Sequence, residues 1–344
     1  MHKHLPIIFF LVGYTSLYAS VLKFEKKIFP ADYERFNKFV IYDDKIIVST
    51  DSLIFIYDKE GKLLQRIGQK GQGPGEFRNI ADFIVNNKEI VVADYHRKIA
   101  YFDRHGNLIK EIRTNHNIQS ITIIHDQVLY LGINKKRNKE DIASSFSIFR
   151  LVDEKEVISF PDETITYAVH PSGKTPAFPW FPAPFPNRVV VLKTDMNGLY
   201  IFMTRCNSFF TYHNGGFIKV NISYEFKEEP IKNEDKKVFF KYIESVNQTK
   251  YPLRTKQSVE FPEKREKFLG TVSWGMDIAL INLDHLIVIS KQGEFVERIG
   301  FPKEIIRENS LEFYAPEARI QRNGDQLYYY DENEGCMKIF SIMK

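Results

Sequence analysis

Apolar residues in this chain come in short runs, broken at intervals by Asp, Gly and Asn, and the runs recur in a fixed order. Lys45–Thr50 carries Ile46, Ile47 and Val48. Leu53–Asp58 is a second apolar run that ends in Asp58, and a short polar turn with Gly61 leads to the alternating Leu63–Ile67. The same order returns in Glu89–Asp94, Ile99–Asp103, Gly106 and Leu108–Ile112. Each part has a physical reason. A terminal Asp can accept hydrogen bonds from turn backbone, and Gly takes the positive φ that a tight hairpin demands. The middle runs are apolar almost throughout, as strands covered on both faces are, while the last run alternates, as a half-exposed strand does.

Weaker copies follow at Ile121–Phe160, Arg188–Val220, Thr271–Ile299 and Ala318–Ile342, which brings the total to six. A four-stranded sheet buried between two neighbours is a propeller blade. The pattern therefore predicts an all-β chain built as a six-bladed β-propeller. The last copy stops after its third strand, and an orphan strand, Val21–Ile28, precedes the first. We expect that N-terminal strand to complete the sixth blade as its outermost strand, which leaves no open end to the ring.

Gly68, Gly71, Gly73, Pro74, Gly75 and Phe77 lie between the first two copies and are followed by Ile80–Phe83. With Val92–Gly106 behind it, this stretch resembles the NHL-repeat family of six-bladed propellers, closely over residues 40–113 and more loosely beyond. The resemblance implies a crossover from the outer strand of one blade to the inner strand of the next. A P-loop would need Lys-Ser/Thr and a helix after the glycines, and a strand follows instead.

Residues 1–20 depart from the repeat. A basic Met1–His4 precedes an apolar Leu5–Val12, and Leu17 and Ala19 stand before the charged Lys23–Lys27. This is the layout of a signal peptide cleaved after Ala19 or Ser20, with an apolar core too short to span a bilayer. No Cys marks the junction for a lipid anchor. The expectation is a leader at 1–20, a propeller at 21–344, and a periplasmic or secreted protein with no transmembrane segment after leader removal.

Composition changes this picture little. The 29 Phe and 18 Tyr favour strands, and a net charge of +4 makes no basic face for nucleic acid. Lys135–Arg137 is locally basic, and a solvated loop accounts for it. Cys206 and Cys336 fall on blades two apart, so both are expected as thiols.

In a propeller, the loops joining second to third strands and those joining blade to blade open on one face. Three unusual segments belong there: Asn134–Asp141, the Pro-aromatic stretch 171–187 with Trp180, Phe181 and Phe185, and a charged insertion at about 224–267. In the last, Asn233 is placed to cap a helix running through Ser245, with Val238, Phe239, Tyr242 and Ile243 as an apolar stripe. Tyr95, His96 and Arg97 fall at the channel mouth, with Asp51, Arg205, Glu332 and Glu334 at corresponding places. The candidate ligand-binding set is Tyr95, His96, Arg97, Trp180, Phe181, Arg205, Glu332 and Glu334. No histidine shows metal-ligand spacing, and no Ser-His-Asp order stands out. No cofactor or catalytic residue is assigned, although a divalent cation at the mouth acids stays open. The leading expectation is a binding or scaffold module for a glycan, peptide or protein partner. The alternative is a metal-dependent lactonase-like or lyase-like enzyme with its site at the channel.

Overall fold

The computed structural model describes residues 20–28, 36–137, 141–160, 167–168, 189–193, 198–213, 216–227, 230–247, 263–264, 267–282, 284–302, 305, 319–331 and 334–343. It is a six-bladed β-propeller. Blade 1 pairs Lys38–Tyr42, Lys45–Ser49, Ile54–Asp58 and Leu63–Ile67, and blade 2 pairs Ile80–Val85, Glu89–Asp94, Lys98–Asp103 and Leu108–Arg113. Blade 3 uses Asn117–Ile124, Gln127–Arg137, Asp141–Arg150 and Glu156–Phe160, with Tyr167–Ala168 added beside the third strand. Blade 4 uses Val189–Lys193, Leu199–Met203, Ser208–His213 and Gly216–Asn221, and blade 5 Gly270–Trp274, Asp277–Ile281, His285–Ile289 and Phe295–Gly300. Blade 6 combines Ile320–Asn323, Gln326–Asp331 and Cys336–Met343 with Val21–Ile28 as its outermost strand, so the expected closure is present. The first strand of every blade approaches the first strands of both neighbouring blades, which closes a ring around the channel.

The apolar middle strands are explained by where their two faces go. In blade 1, Ile46, Val48, Phe55 and Tyr57 pack toward blade 6 with Tyr330, Met337 and Ile339, while Ile47, Ile54 and Ile56 pack toward blade 2 with Phe83, Ile90 and Val92. In blade 2, Val91, Ala93, Ile99 and Tyr101 turn instead to Ile118, Ile121 and Tyr130 of blade 3. Six such clusters fill the six seams between blades. Alternation still holds along each strand, but both faces are core, so the runs are mostly apolar, and a buried exception such as Lys338 is paired with acids. Each fully buried Ile, Val or Phe contributes about 1.5–3 kcal/mol relative to its exposed state.

The turn chemistry follows the sequence. Asp58 Oδ1 accepts from Glu60 N at 3.0 Å and Lys62 N at 2.8 Å, and Asp103 Oδ1 accepts from His105 N and Asn107 N, both at 2.8 Å. Gly61 and Gly106 have φ of 90° and 81°.

Two local expectations are revised. Asn134–Arg137 is not a loop, because the second strand of blade 3 runs on to Arg137 and stays in register with the third strand as far as Arg137↔Ile142. The backbone ladder carries the hairpin on through these polar residues, pairing Asn134 with Ser145, Lys135 with Ser144 and Lys136 with Ala143. The helix in the insertion, α1 (Asn233–Asn247), is also not capped by Asn233. Lys236 N bonds Lys232 O at 3.3 Å, so Lys232 is the capping residue, and Asp235 Oδ2 reaches back to Lys232 N at 2.7 Å. That is the return half of a capping box. Phe239 of the expected stripe is buried, and so is Phe240, which lies outside that stripe; the side chains of Val238, Tyr242 and Ile243 lie outside the described residues. The insertion closes on itself at its base, where Pro230 bridges Lys264 and Ile231 N bonds Glu263 O at 3.1 Å.

Candidate functional site

The mouth of the channel is built where second-to-third-strand turns meet the beginnings of inner strands. The turn Tyr95–Arg97 of blade 2 is fixed on both sides. Tyr95 N donates to Asn79 O at 2.8 Å, and Tyr95 O accepts from Ile118 N at 3.2 Å, so the turn straddles the inner strands of blades 2 and 3. Asp94 anchors it from below, accepting from His96 N and Arg78 N, each at 2.7 Å. The same arrangement recurs in blade 1, where Asp51 O accepts from Ile80 N at 2.6 Å and Asp51 Oδ1 accepts from Asn37 Nδ2 at 2.8 Å.

On this rigid base Tyr95 is half-buried and His96 and Arg97 are exposed. The Tyr95 and His96 rings meet edge to face with centroids 5.4 Å apart. Arg97 Nε donates to Asn117 Oδ1, the first residue of the inner strand of blade 3, at 3.1 Å. Arg97 holds a left-handed backbone with φ of 67°. The residue just before the third strand of blade 6 has the same geometry, and there it is Gly335 with φ of 63°. For a residue with a Cβ that conformation costs about 1–2 kcal/mol, so blade 2 carries a guanidinium at a position where glycine is the unstrained choice.

Behind the turn lies a polar tie among three inner strands. Asp82, 4% exposed, takes the Lys38 ammonium of blade 1, the Ser120 hydroxyl of blade 3 at 2.5 Å and Ile121 N at 2.9 Å. Sequence reasoning did not single out this group. Its signal was a lone carboxylate within the apolar Ile80–Val85, which an unpaired charge could not occupy. Thr122 on the inner strand of blade 3, and Thr271 and Ser273 on that of blade 5, bury side-chain oxygens without a partner among the described residues.

The glycine-rich loop proves to be a self-filled cradle. Glu76 turns its carboxylate into the loop, where Oε2 accepts from Gln72 N at 2.9 Å and Gly73 N at 2.8 Å, and Oε1 accepts from Gln69 Nε2 at 2.7 Å. These donors, Gly73 first, hold the Glu76 carboxyl below its ordinary range. Lys98, 4% exposed, binds the carbonyls of Gly73 and Glu76 and pairs with Glu111 at 3.2 Å, while Glu111 Oε1 accepts from Gly75 N at 2.9 Å. The backbone N–H groups that would hold a phosphate already hold a carboxylate of the chain itself.

The other candidates are placed as follows. Arg205 is half-buried in the corresponding turn of blade 4, where Thr204 O accepts from Lys267 N at 2.9 Å. Glu334 sits in the turn of blade 6 and is engaged by two lysines: Lys27 of the closing strand, and Lys338 at 3.2 Å. Lys338, 1% exposed, also binds Asp331 Oδ2 at 2.6 Å. The hydrogen bonds from Lys27 and Lys338 lower the Glu334 carboxyl to about 2. Trp180, Phe181 and Glu332 lie outside the described residues. Cys206 and Cys336 are in no disulfide, as expected. Among the described residues no three His, Cys, Asp or Glu side chains gather to hold a metal, and no helix is long and apolar enough to cross a membrane.

The profile of the family described as "Domain of unknown function (DUF4934)" matches residues 33–272. No curated protein sequence matches the chain. Among solved structures, a Bacteroides fragilis protein described as a candidate exported protein is similar at 13% identity, with 96% of this chain and 97% of that one covered and a TM-score of 0.55. Virginiamycin B lyase from Staphylococcus aureus is similar at 10% identity, over 92% of this chain and 99% of that one, with a TM-score of 0.48. BamB from Moraxella catarrhalis is similar at 10% identity, over 93% and 99%, with a TM-score of 0.39. At these identities the likeness is one of fold.

Proposed function

This chain belongs to the DUF4934 family, and on that premise we propose that it is an exported binding module whose contact surface is the channel mouth around Tyr95, His96 and Arg97. The export part rests on the leader-like residues 1–20. The binding part rests on one observation: Arg97 keeps a left-handed backbone where blade 6 uses Gly335. Left-handed backbone at a residue with a Cβ is held by its surroundings and clusters at ligand-binding positions. Arg97 has it in a turn at the channel mouth, whereas Asp43–Asp44 and His125–Asp126 have it in the tight hairpins between first and second strands. This one turn, pinned to two blades, carries a guanidinium, an imidazole and a phenol in sequence, with His96 and Arg97 exposed and the Tyr95 ring against that of His96.

The chemistry of that trio suits a glycan, peptide or protein partner that offers an anionic or planar group. Arg supplies forked donors to a carboxylate, and Tyr and His supply ring faces. The test is a panel of immobilised glycans and of peptides with and without carboxylates, probed with the protein and with Arg97→Ala and Tyr95→Ala. Retention of wild-type protein on one ligand class, lost at least tenfold in both variants, supports the reading. Retention unchanged in both variants moves the contact surface away from the mouth turn and overturns it.

A further inference from the structure

The closing strand starts one residue after Ser20, and Ser20 is tied to a different blade. Its backbone nitrogen donates to Glu297 Oε2 at 2.9 Å, and its hydroxyl donates to Glu297 Oε1 at 3.2 Å. Glu297 stands on Phe295–Gly300, the outermost strand of blade 5, while Ser20 leads into Val21–Ile28, the outermost strand of blade 6. Both carboxylate oxygens are thus turned on one residue across a seam. A peptide nitrogen brings a single hydrogen and no charge to this arrangement, whereas an α-ammonium brings three hydrogens and a full positive charge.

The sequence supplies a way to make that ammonium. Leu17 and Ala19 precede Ser20 at the end of the leader, and the sequence pattern alone permits cleavage after Ala19 or after Ser20. Cleavage after Ser20 would discard the residue that makes both contacts with Glu297. We propose that the chain is cut between Ala19 and Ser20 and that the new α-ammonium of Ser20 forms an ion pair with Glu297, latching blade 5 to the closing strand. The cut is a hydrolysis with water as co-reactant and a signal-peptidase-class protease as catalyst. The Ala19–Ser20 C–N bond breaks, the water oxygen joins the Ala19 carbonyl carbon to give a carboxylate, and the nitrogen leaves as an amine. With an ordinary pKa of about 7.7–8.0, that amine is mostly protonated at neutral pH.

The inference deepens the export part of the proposed function and is independent of what the mouth binds. The unprocessed chain has a neutral amide at this seam, so the charged latch exists only in the mature protein. Charge-assisted hydrogen bonds are stronger than neutral ones, and the pair ties down a strand that would otherwise fray at its first residue.

Two measurements test it. The full chain is expressed in an exporting bacterial host, and the exported protein is analysed by intact mass and N-terminal sequencing. A first residue of Ser20 is the expected result. A start at Val21 or beyond, or a folded exported product that keeps residues 1–19, overturns the proposal while leaving the mouth reading intact. A chain that is never exported overturns the proposal together with the export part of the proposed function, and leaves the contact surface at the mouth to its own binding test. Secondly, the chain beginning at Ser20 is compared with the same chain acetylated on its α-amine, each also as Glu297→Gln. Acetylation should lower Tm by about 2 °C where Glu297 is present and leave it unchanged in the Glu297→Gln background. An equal effect in both backgrounds overturns the ion pair. If Glu297→Gln does not fold, the salt dependence of the acetylation shift decides: the shift should shrink as salt screens the pair, and a salt-independent shift overturns it.

Discussion

Leu22 and Ile28 lie six positions apart on one strand, yet they face opposite sides of it: Leu22 packs in the seam between blades 5 and 6, and Ile28 in the seam between blades 6 and 1. An even separation puts two residues on the same face of a regular strand. The register explains the reversal, because Phe24 pairs with Phe340 and Lys26 with Ile339, which leaves Glu25 as an extra residue. That bulge flips the strand once. One strand therefore seals both seams of the last blade.

Ile28→Ala and Leu22→Ala should each destabilise the protein by about 2–4 kcal/mol, as large-to-small changes in a packed core do, measured by urea unfolding. Deleting Glu25 should cost more than either, because it would turn Lys26–Ile28 over. A deletion of Glu25 that leaves the unfolding midpoint unchanged would show that the bulge is not what directs the two side chains.

Lys338 and Asp331 form a buried pair with side chains 1% and 2% exposed. Lys338→Met should cost about 3–5 kcal/mol by leaving the Asp331 carboxylate without its charge partner. Adding Asp331→Asn to Lys338→Met should recover a large part of that loss. Chemical denaturation of the two singles and the double gives the coupling directly, and additive losses would count against it.

The lowered Glu334 carboxyl sets an acid limit. Its folded value of about 2 lies below the ordinary 4.5, because Lys27 and Lys338 bind the charged form. The stability it contributes is present above 4.5 and is lost as pH falls toward about 2. Wild type and Glu334→Gln should therefore differ in Tm at neutral pH and converge as the medium is acidified through that window. A difference that persists unchanged to the acid end would assign the effect to packing.

Gly71 has no room for a side chain, since a Cβ there would lie 2.0 Å from Glu76 Oε2. Gly71→Ala should expel that carboxylate from the cradle and cost about 1–3 kcal/mol, the usual range for overpacking. Inorganic phosphate should leave the wild-type melting temperature unchanged, because Glu76 already fills the loop. A phosphate-dependent rise would reopen the loop as an anion site.

Arg97→Gly should relieve backbone strain and lose the bond to Asn117, leaving the protein equally stable or more stable by up to about 1 kcal/mol. The same change should abolish retention on any ligand that the mouth turn holds. A clear loss of stability would show that the Arg97 side chain is there for the fold.

The architecture is legible in the chain alone, because the order of runs within a blade is a local signal. Asp58 and Asp103 close their turns through bonds within a few residues, and Ile46–Val48 reads as buried on both faces from its composition. The missing fourth strand of the last copy and the orphan Val21–Ile28 even announced the closure. Relations across the seams are a different matter, and they emerge only in the folded ring. Nothing near Asp82 in the chain shows that Lys38 and Ser120 will meet it, and nothing near Glu334 shows that Lys27 will. The gathering of Tyr95, His96 and Arg97 with Asn117 likewise depends on how blade 2 sits against blade 3. Side chains far apart in sequence are brought together by ring closure, and ring closure is a property of all six blades packing at once.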